Sequence, residues 1–187
     1  VYDAGWERLR QDRLAKALGL GVVGEGTEMV DMSTTQDWDA LPDDRKRYEA
    51  KRMAVYGGMI EAMDFHIGRL IEHLKATGQY ENTLLIFSSD NGPVLDDGYN
   101  DEAIAKLGEH TPSGNLRGGK YSLFDAGAHI PFMVRWPKEI VPGVSNALIS
   151  QHDLLASIAK LTVQKIASSD SEDLLDTLLG QSNKGRK

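Results

Sequence analysis

The sequence predicts an α/β fold, and three observations carry that prediction. Apolar residues recur at three- and four-residue steps over 43–77, the period of a helix with one apolar face. That segment leads within a few residues into Thr83-Leu84-Leu85-Ile86-Phe87-Ser88, an apolar run of strand length. A second such run, Phe132-Met133-Val134-Arg135-Trp136, follows further along the chain. A helix that runs directly into an apolar strand is the αβ half of a βαβ unit, so a sheet flanked by helices is expected.

The elements follow in order. Residues 3–18 place Trp6, Leu9, Leu14 and Leu18 roughly on one helical face, with Asp3 able to cap the start and Gly19 and Gly21 ending it. Residues 22–42 read as a loop carrying Asp31, Ser33, Thr34, Thr35, Asp37 and Asp39. Pro42, Asp43 and Asp44 suit the first turn of the long helix, where a missing N–H costs nothing and negative charge meets the positive end of the dipole. Its stripe is Tyr56, Met59, Ile60, Met63, Ile67, Leu70, Ile71 and Leu74. Gly57-Gly58 lowers helix propensity by roughly 1 kcal/mol per residue and predicts close packing on a neighbour. Gly78 ends the helix, and 79–82 turn into a buried strand over 83–88. A polar excursion over 93–119 follows, with a short helix expected at about 101–107. Gly127 and Pro131 flank the turn into the second strand, which Pro137 stops. Leu148-Ile149 suggests a further short strand, Asp153 a cap for a helix over 154–161, and 174–179 a last short helix before a basic, solvated end, Lys184-Gly185-Arg186-Lys187.

At 187 residues the chain is long enough for one domain. Its first residues already read as mid-domain, so a piece of a longer protein is expected. The formal net charge of -7 argues against a nucleic-acid partner, which needs a clustered positive face. No apolar run approaches the roughly 20 residues of a membrane-spanning helix. With no cysteine there is no disulfide, thiolate metal site or cysteine nucleophile in this stretch.

The first strand ends in Asp90-Asn91-Gly92. A carboxylate and an amide oxygen are hard donors suited to Ca²⁺ or Mg²⁺, and strand ends are where α/β proteins assemble polar sites. Two donors fall short of the 6 to 8 oxygens Ca²⁺ usually takes, and an Asp-Asn-Gly turn that merely ends a strand fits the same residues. Lys120 follows Gly118-Gly119, where backbone can approach a ligand closely and an ammonium can neutralise a sulfate- or phosphate-like group. An exposed loop lysine fits as well. His110, in Glu109-His110-Thr111-Pro112-Ser113-Gly114, fits a proton donor or substrate ligand and equally a solvated loop residue. Asp96, Asp97 and Asp101 fit a cation or basic-substrate site, or a solvated loop.

Taken together, these motifs resemble the sulfatase family. Met59-Ile60-Glu61-Ala62-Met63-Asp64, running through Ile67-Gly68-Arg69-Leu70 to Phe87-Ser88-Ser89-Asp90-Asn91-Gly92, is similar to the C-terminal part of a sulfatase catalytic domain. So is Leu116-Arg117-Gly118-Gly119-Lys120-Tyr121-Ser122-Leu123-Phe124-Asp125-Ala126-Gly127, leading into Ile130-Pro131-Phe132-Met133-Val134-Arg135-Trp136-Pro137. Tyr2-Asp3-Ala4-Gly5-Trp6 and Leu174-Leu175-Asp176-Thr177-Leu178-Leu179-Gly180 look like bacterial arylsulfatases, so the resemblance covers nearly the whole chain.

The resemblance implies an alkaline-phosphatase-like fold: a mixed, mostly parallel sheet flanked by helices, of which this chain is a partial domain. Residues 1–165 would be the C-terminal part of the catalytic domain, and 166–187 the transition toward a smaller C-terminal domain. It implies Asp90 and Asn91 as ligands of Ca²⁺ in preference to Mg²⁺, and Lys120 as a catalytic group that contacts the sulfate of an aryl or carbohydrate sulfate ester. It also implies a formylglycine nucleophile matured from the first residue of a Cys/Ser-x-Pro-x-Arg segment. No such segment occurs here. The nucleophile, the remaining metal ligands and the other basic sulfate ligands are therefore expected upstream of Val1, and the piece alone is expected to be inactive. A periplasmic or secreted location is implied in the same way. Two other functions fit the residues: a related phosphate or phosphonate monoester hydrolase, which shares the metal-and-lysine logic, and a noncatalytic module in which Asp90 is a structural turn. The excursion over 93–115 joins the two motifs and is the expected specificity loop.

Overall fold

The computed structural model describes residues 1–29, 35–167 and 170–186. Asp31, Ser33 and Thr34 of the expected loop, and Lys187 of the basic end, lie outside the described residues. The chain divides into two compact units, one built from Val1–Arg69 and Asp90–Ile130, the other from Leu70–Ser89 and Pro131 onward.

In the first unit a 3-10 turn, Tyr2–Ala4, leads into helix α1, Gly5–Gly19; helix α2, Asp43–Ala76, starts in this unit, and its residues from Leu70 on belong to the second. These bounds match the expected helices to within two residues at each end. The core here is small: Trp38, Leu41 and Ala50, with Tyr2, Trp6 and Met53 packed against it. Trp6 and Trp38 meet edge-to-face with centroids 4.9 Å apart, a favoured aromatic geometry. Gly57 lies directly against Tyr2, whose hydroxyl a Cβ there would displace. Gly58 faces open space, so the close packing expected of the pair holds for its first member only.

The apolar stripe of α2 is regular but largely uncovered, with Tyr56 66%, Met59 60% and Met63 51% exposed. Periodicity set the face, and the described residues supply little to lie on it. The excursion holds turns, not the expected helix at 101–107; Lys106 N–H reaches Glu102 O, but the pattern does not propagate. A single turn fixes several dihedrals for one hydrogen bond and so rarely extends unaided.

The second unit holds strands β1, Leu85–Ser88, and β2, Phe132–Arg135. They pair antiparallel, from Leu85↔Arg135 to Ser88↔Phe132. Ser89 N–H donates to Pro131 O at 3.3 Å, so chain leaving at Ser89 returns beside its exit, which imposes the antiparallel sense. This is the one strand pair among the described residues; the parallel strands of the expected mixed sheet are not among them. Two strands cannot cover each other's faces. Phe87 accordingly stays 46% exposed, and the strand expected to be buried is half-buried.

Helix α4, Asp153–Leu161, packs with the short helix α5, Leu175–Leu178, through Ala159, Leu174, Leu175 and Leu178. The buried Ser157 hydroxyl accepts the Leu174 N–H at 3.0 Å. Leu148-Ile149 is not a strand; the Leu148 carbonyl accepts the Arg186 N–H instead. Asp153 is not the expected cap but the first helical residue, following His152. Its carboxylate accepts N–H groups from Ser150 at 2.9 Å and Glu172 at 3.0 Å, and pairs with the Arg186 guanidinium. The basic end is thus not simply solvated: Arg186 also donates to Asp170 O at 2.8 Å.

Between the strands in sequence, Asp125–Ala128 forms the one-turn helix α3 of the first unit.

Candidate functional site

The site residues all fall in the first unit. Asp90 stands two residues beyond the end of β1 and is exposed. Asn91 Nδ2 donates to Gly92 O at 2.8 Å, so the ligand atom this side chain can offer is Oδ1. Gly92 is buried, its N–H donates to Gly127 O at 2.9 Å, and a Cβ would overlap the Ala126 carbonyl oxygen. Only glycine lets the backbone at position 92 lie this close to the α3 turn.

A second bond ties the two sequence motifs together. Lys120 N–H donates to Pro93 O at 2.8 Å, and a Cβ on Gly119 would stand 2.6 Å from that same oxygen. The composition of Gly118-Gly119 predicts close backbone approach to a ligand; the approach seen is of backbone to backbone, Gly119 letting the lysine segment lie against the chain leaving Asp90-Asn91-Gly92. Ser122 closes the loop, its N–H and Oγ both donating to Gly119 O at 3.1 and 2.9 Å. The result is a cleft of about 250 Å³ walled by Pro93, Val94, Leu95, Asp96, Pro112, Ser113 and Gly118 to Lys120. Its volume lies just below the usual range of drug-sized ligand pockets, so it has room for a small group and not for a whole large substrate.

Lys120 has two partners that its motif did not announce. Its ammonium lies 3.6 Å from Asp97 Oδ1 and 5.1 Å from the Tyr121 ring centroid, and the Tyr121 hydroxyl donates to the same Asp97 oxygen. The Tyr121 hydroxyl first, and the Asp97 charge second, raise the Lys120 pKa, so the ammonium stays protonated. Asp97 moves the other way, below the usual aspartate value, through the Tyr121 hydrogen bond and then the lysine charge. Adjacency to Lys120 was the only sequence signal for Tyr121. Asp97 was singled out only as one of three loop aspartates fit for a cation or basic substrate, and nothing at its position, 23 residues before Lys120, named the lysine as its partner.

The other candidates are dispersed. Asp96 and Asp101 accept the N–H two residues on, at 2.9 and 3.0 Å, as turn-forming aspartates do. His110 is exposed on the turn that precedes Pro112 and Ser113, and is not among the residues that wall the cleft. Among the described residues no three His, Cys, Asp or Glu side chains come together as a metal cage. Asp90 and Asn91 have the right chemistry for a hard cation, as two of the 6 to 8 oxygens that Ca²⁺ takes.

Comparison with known proteins defines the class to which this arrangement belongs. The sulfatase family model matches residues 14–164. The chain is 43% identical over 157 residues to an N-acetylgalactosamine-6-O-sulfatase of Bacteroides thetaiotaomicron, which covers 82% of this chain and 31% of that protein. It is 40% identical over 91 residues to an arylsulfatase of Klebsiella aerogenes, covering 49% of this chain and 20% of that one. A solved structure concerned with metabolism of multiple glycosaminoglycans by Bacteroides thetaiotaomicron superposes with a TM-score of 0.59 at 47% identity, over 66% of this chain and 26% of that chain. Ps i-CgsB in complex with k-i-k-neocarrahexaose superposes with a TM-score of 0.53 at 28% identity, over 79% and 29% of the two chains. The chain belongs to the sulfatase family and carries part of its alkaline-phosphatase-like α/β fold. It spans about a third of the length of the first of these relatives. No helix among the described residues is long and apolar enough to cross a membrane.

Proposed function

We propose that this chain supplies part of the metal and sulfate site of a sulfuric ester hydrolase. The observation that supports it best is the Lys120 N–H to Pro93 O bond, which joins the strand-end motif to the lysine motif at one cleft. In this reading residues 1–165 form the C-terminal part of the catalytic domain and 166–187 lead toward a smaller C-terminal domain. The remaining strands of a mixed, mostly parallel sheet come from elsewhere in the polypeptide, as does a formylglycine nucleophile.

Asp90 and Asn91 would hold Ca²⁺ in preference to Mg²⁺, with oxygens from elsewhere completing the shell. When bound, such an ion stabilises negative charge on the sulfate oxygens. The chain's own contributions are distinct from this. Lys120, an ammonium at neutral pH in any case, meets a nonbridging or leaving-group oxygen as charge develops there. His110 contacts the substrate from the excursion, and 93–115 sets which ester is accepted. The named relative acts on N-acetylgalactosamine 6-O-sulfate groups by its description, which favours a carbohydrate sulfate over an aryl sulfate. A periplasmic or secreted location suits such a substrate.

The experiment is substitution in the complete natural polypeptide. Lys120→Ala should lower turnover of a sulfate ester about 10²–10³-fold, the usual loss for one charge-stabilising donor. Asp90→Ala should lower both calcium affinity, read by calorimetry, and turnover. An undiminished rate with either variant contradicts the assignment. The isolated 187-residue chain should show no aryl sulfate hydrolysis, and measurable turnover by it would remove the need for outside residues.

A further inference from the structure

In the Asp97–Tyr121–Lys120 cluster a hydroxyl and an ammonium converge on one carboxylate oxygen. Lys120 Nζ stands 3.6 Å from Asp97 Oδ1, within ion-pairing range but well beyond the 2.7–2.9 Å of a close ammonium–carboxylate hydrogen bond. The shorter bond to that oxygen comes from the Tyr121 hydroxyl. One oxygen thus serves a neutral donor closely and a cation at a distance. The tyrosine is itself held unusually, at φ 73, a region that non-glycine residues seldom occupy and that recurs near functional sites.

Two consequences follow from elementary electrostatics. An ammonium has three donors, and the Asp97 oxygen at 3.6 Å together with the Tyr121 hydroxyl engages no more than two of them, so an arriving anion still finds a strong donor. The carboxylate nevertheless lowers the positive potential that anion feels. Because Asp97 and Lys120 are both partly solvent-exposed, with side chains 39% and 29% accessible, their attraction is weak and easily exchanged for a better one. Asp96 also walls the cleft, but its Oδ1 is committed to the Gly98 N–H and it makes no described pair with the lysine.

We infer that Asp97 is the resting counter-anion of Lys120, tethered by the Tyr121 hydroxyl, and that a sulfate group displaces it from the ammonium on binding. Asp97 and Tyr121 are positioning residues: they aim the lysine and hold its charge in the free protein, then yield it. The inference rests on the reading of Lys120 as a sulfate contact. It adds a competition between an internal carboxylate and the substrate anion.

The opposite signs expected of two variants test it. In the complete polypeptide, inorganic sulfate affinity is measured by titration calorimetry, alongside KM and kcat for a sulfate ester. Asp97→Asn removes the competitor, so sulfate affinity should rise about two- to fivefold, the scale of an exposed ion pair, and KM should fall by more than kcat changes. Asp97→Glu should restore behaviour close to wild type. Tyr121→Phe removes the tether and lets the carboxylate close on the ammonium, so sulfate affinity should fall. The double variant should behave like Asp97→Asn, because a tether without a carboxylate has nothing to hold. Unchanged or weaker sulfate binding by Asp97→Asn overturns the inference, as does an equal gain from Asp96→Asn, which would reduce the effect to net charge. Lys120→Ala separates the two levels. If it abolishes sulfate binding while Asp97→Asn does nothing, the sulfate role of Lys120 stands and the counter-anion role falls. If Lys120→Ala leaves sulfate binding intact, both fall.

Discussion

Two aspartate–cation pairs in this molecule show how burial decides what an ion pair is for. Asp153 is buried and accepts two backbone N–H groups in addition to the Arg186 guanidinium. Asp97 is exposed and accepts one phenolic hydroxyl, with its lysine at 3.6 Å. The first carboxylate has nowhere else to go, since losing any partner leaves charge or N–H groups stranded away from water. The second can exchange its partner for water or an anion at small cost. The Asp153 pair ties the chain end into its unit; the Asp97 pair is fitted to let go.

The largest effect should come from breaking the buried pair. Asp153→Ala strands the Ser150 and Glu172 N–H groups and the Arg186 charge, and should destabilise the fold by about 3 kcal/mol, the low end for a buried pair because Arg186 is partly exposed. Urea denaturation measures it, and a loss under about 1 kcal/mol would mean that solvent replaces the carboxylate readily. Next in size is Gly92→Ala. The new methyl would overlap the Ala126 carbonyl, so the backbone at position 92 or the α3 turn must shift, at about 1–3 kcal/mol. A fully stable variant, judged by the same denaturation, would show that the α3 turn yields freely.

The exposed pair should register mainly as pH dependence. Asp97 has its pKa lowered on folding by the Tyr121 hydrogen bond and then by Lys120, so its contribution is present above the ordinary aspartate pKa and disappears as pH falls through the lower folded value. Lys120 has its pKa raised, chiefly by Tyr121 and then by Asp97, so its contribution is complete below the ordinary lysine pKa and disappears as pH rises through the folded value. Stability measured against pH should therefore lose a small acid-side slope in Asp97→Asn, and an identical slope in the two proteins would remove Asp97 from the account. The smallest effect is expected on the uncovered stripe of α2. Met59→Ser, at a position 60% exposed, should change the stability of the 187-residue chain by no more than about 0.5 kcal/mol. A larger loss would show that the stripe is packed after all.

Much of this was legible in the residues. The period of α2 and the apolar runs of β1 and β2 are local properties, written in spacing and in side-chain size. The two motifs of the site were legible for the same reason, since Asp90-Asn91-Gly92 and Gly118-Gly119-Lys120 are each contiguous. What was misread depended on distant partners. Leu148 reads as strand by its side chain, yet its carbonyl goes to Arg186. Asp153 reads as a cap until Glu172 and Arg186 come within reach of it. The stripe of α2 reads as buried because amphipathicity states which face is apolar, never what covers it.

By itself, then, the sequence determined the class of the fold, the bounds of its long helix and the two motifs through which the chain belongs to the sulfatase family. Those features rest on short-range physics: helical period, strand propensity, and the freedom of glycine to let backbone approach backbone. Tertiary structure alone decided that Lys120 faces Asp97 across the loop and that Arg186 closes on Asp153. Pairing over such separations depends on where loops return, and loop return is settled by the sum of many weak contacts, none of which is written at either end.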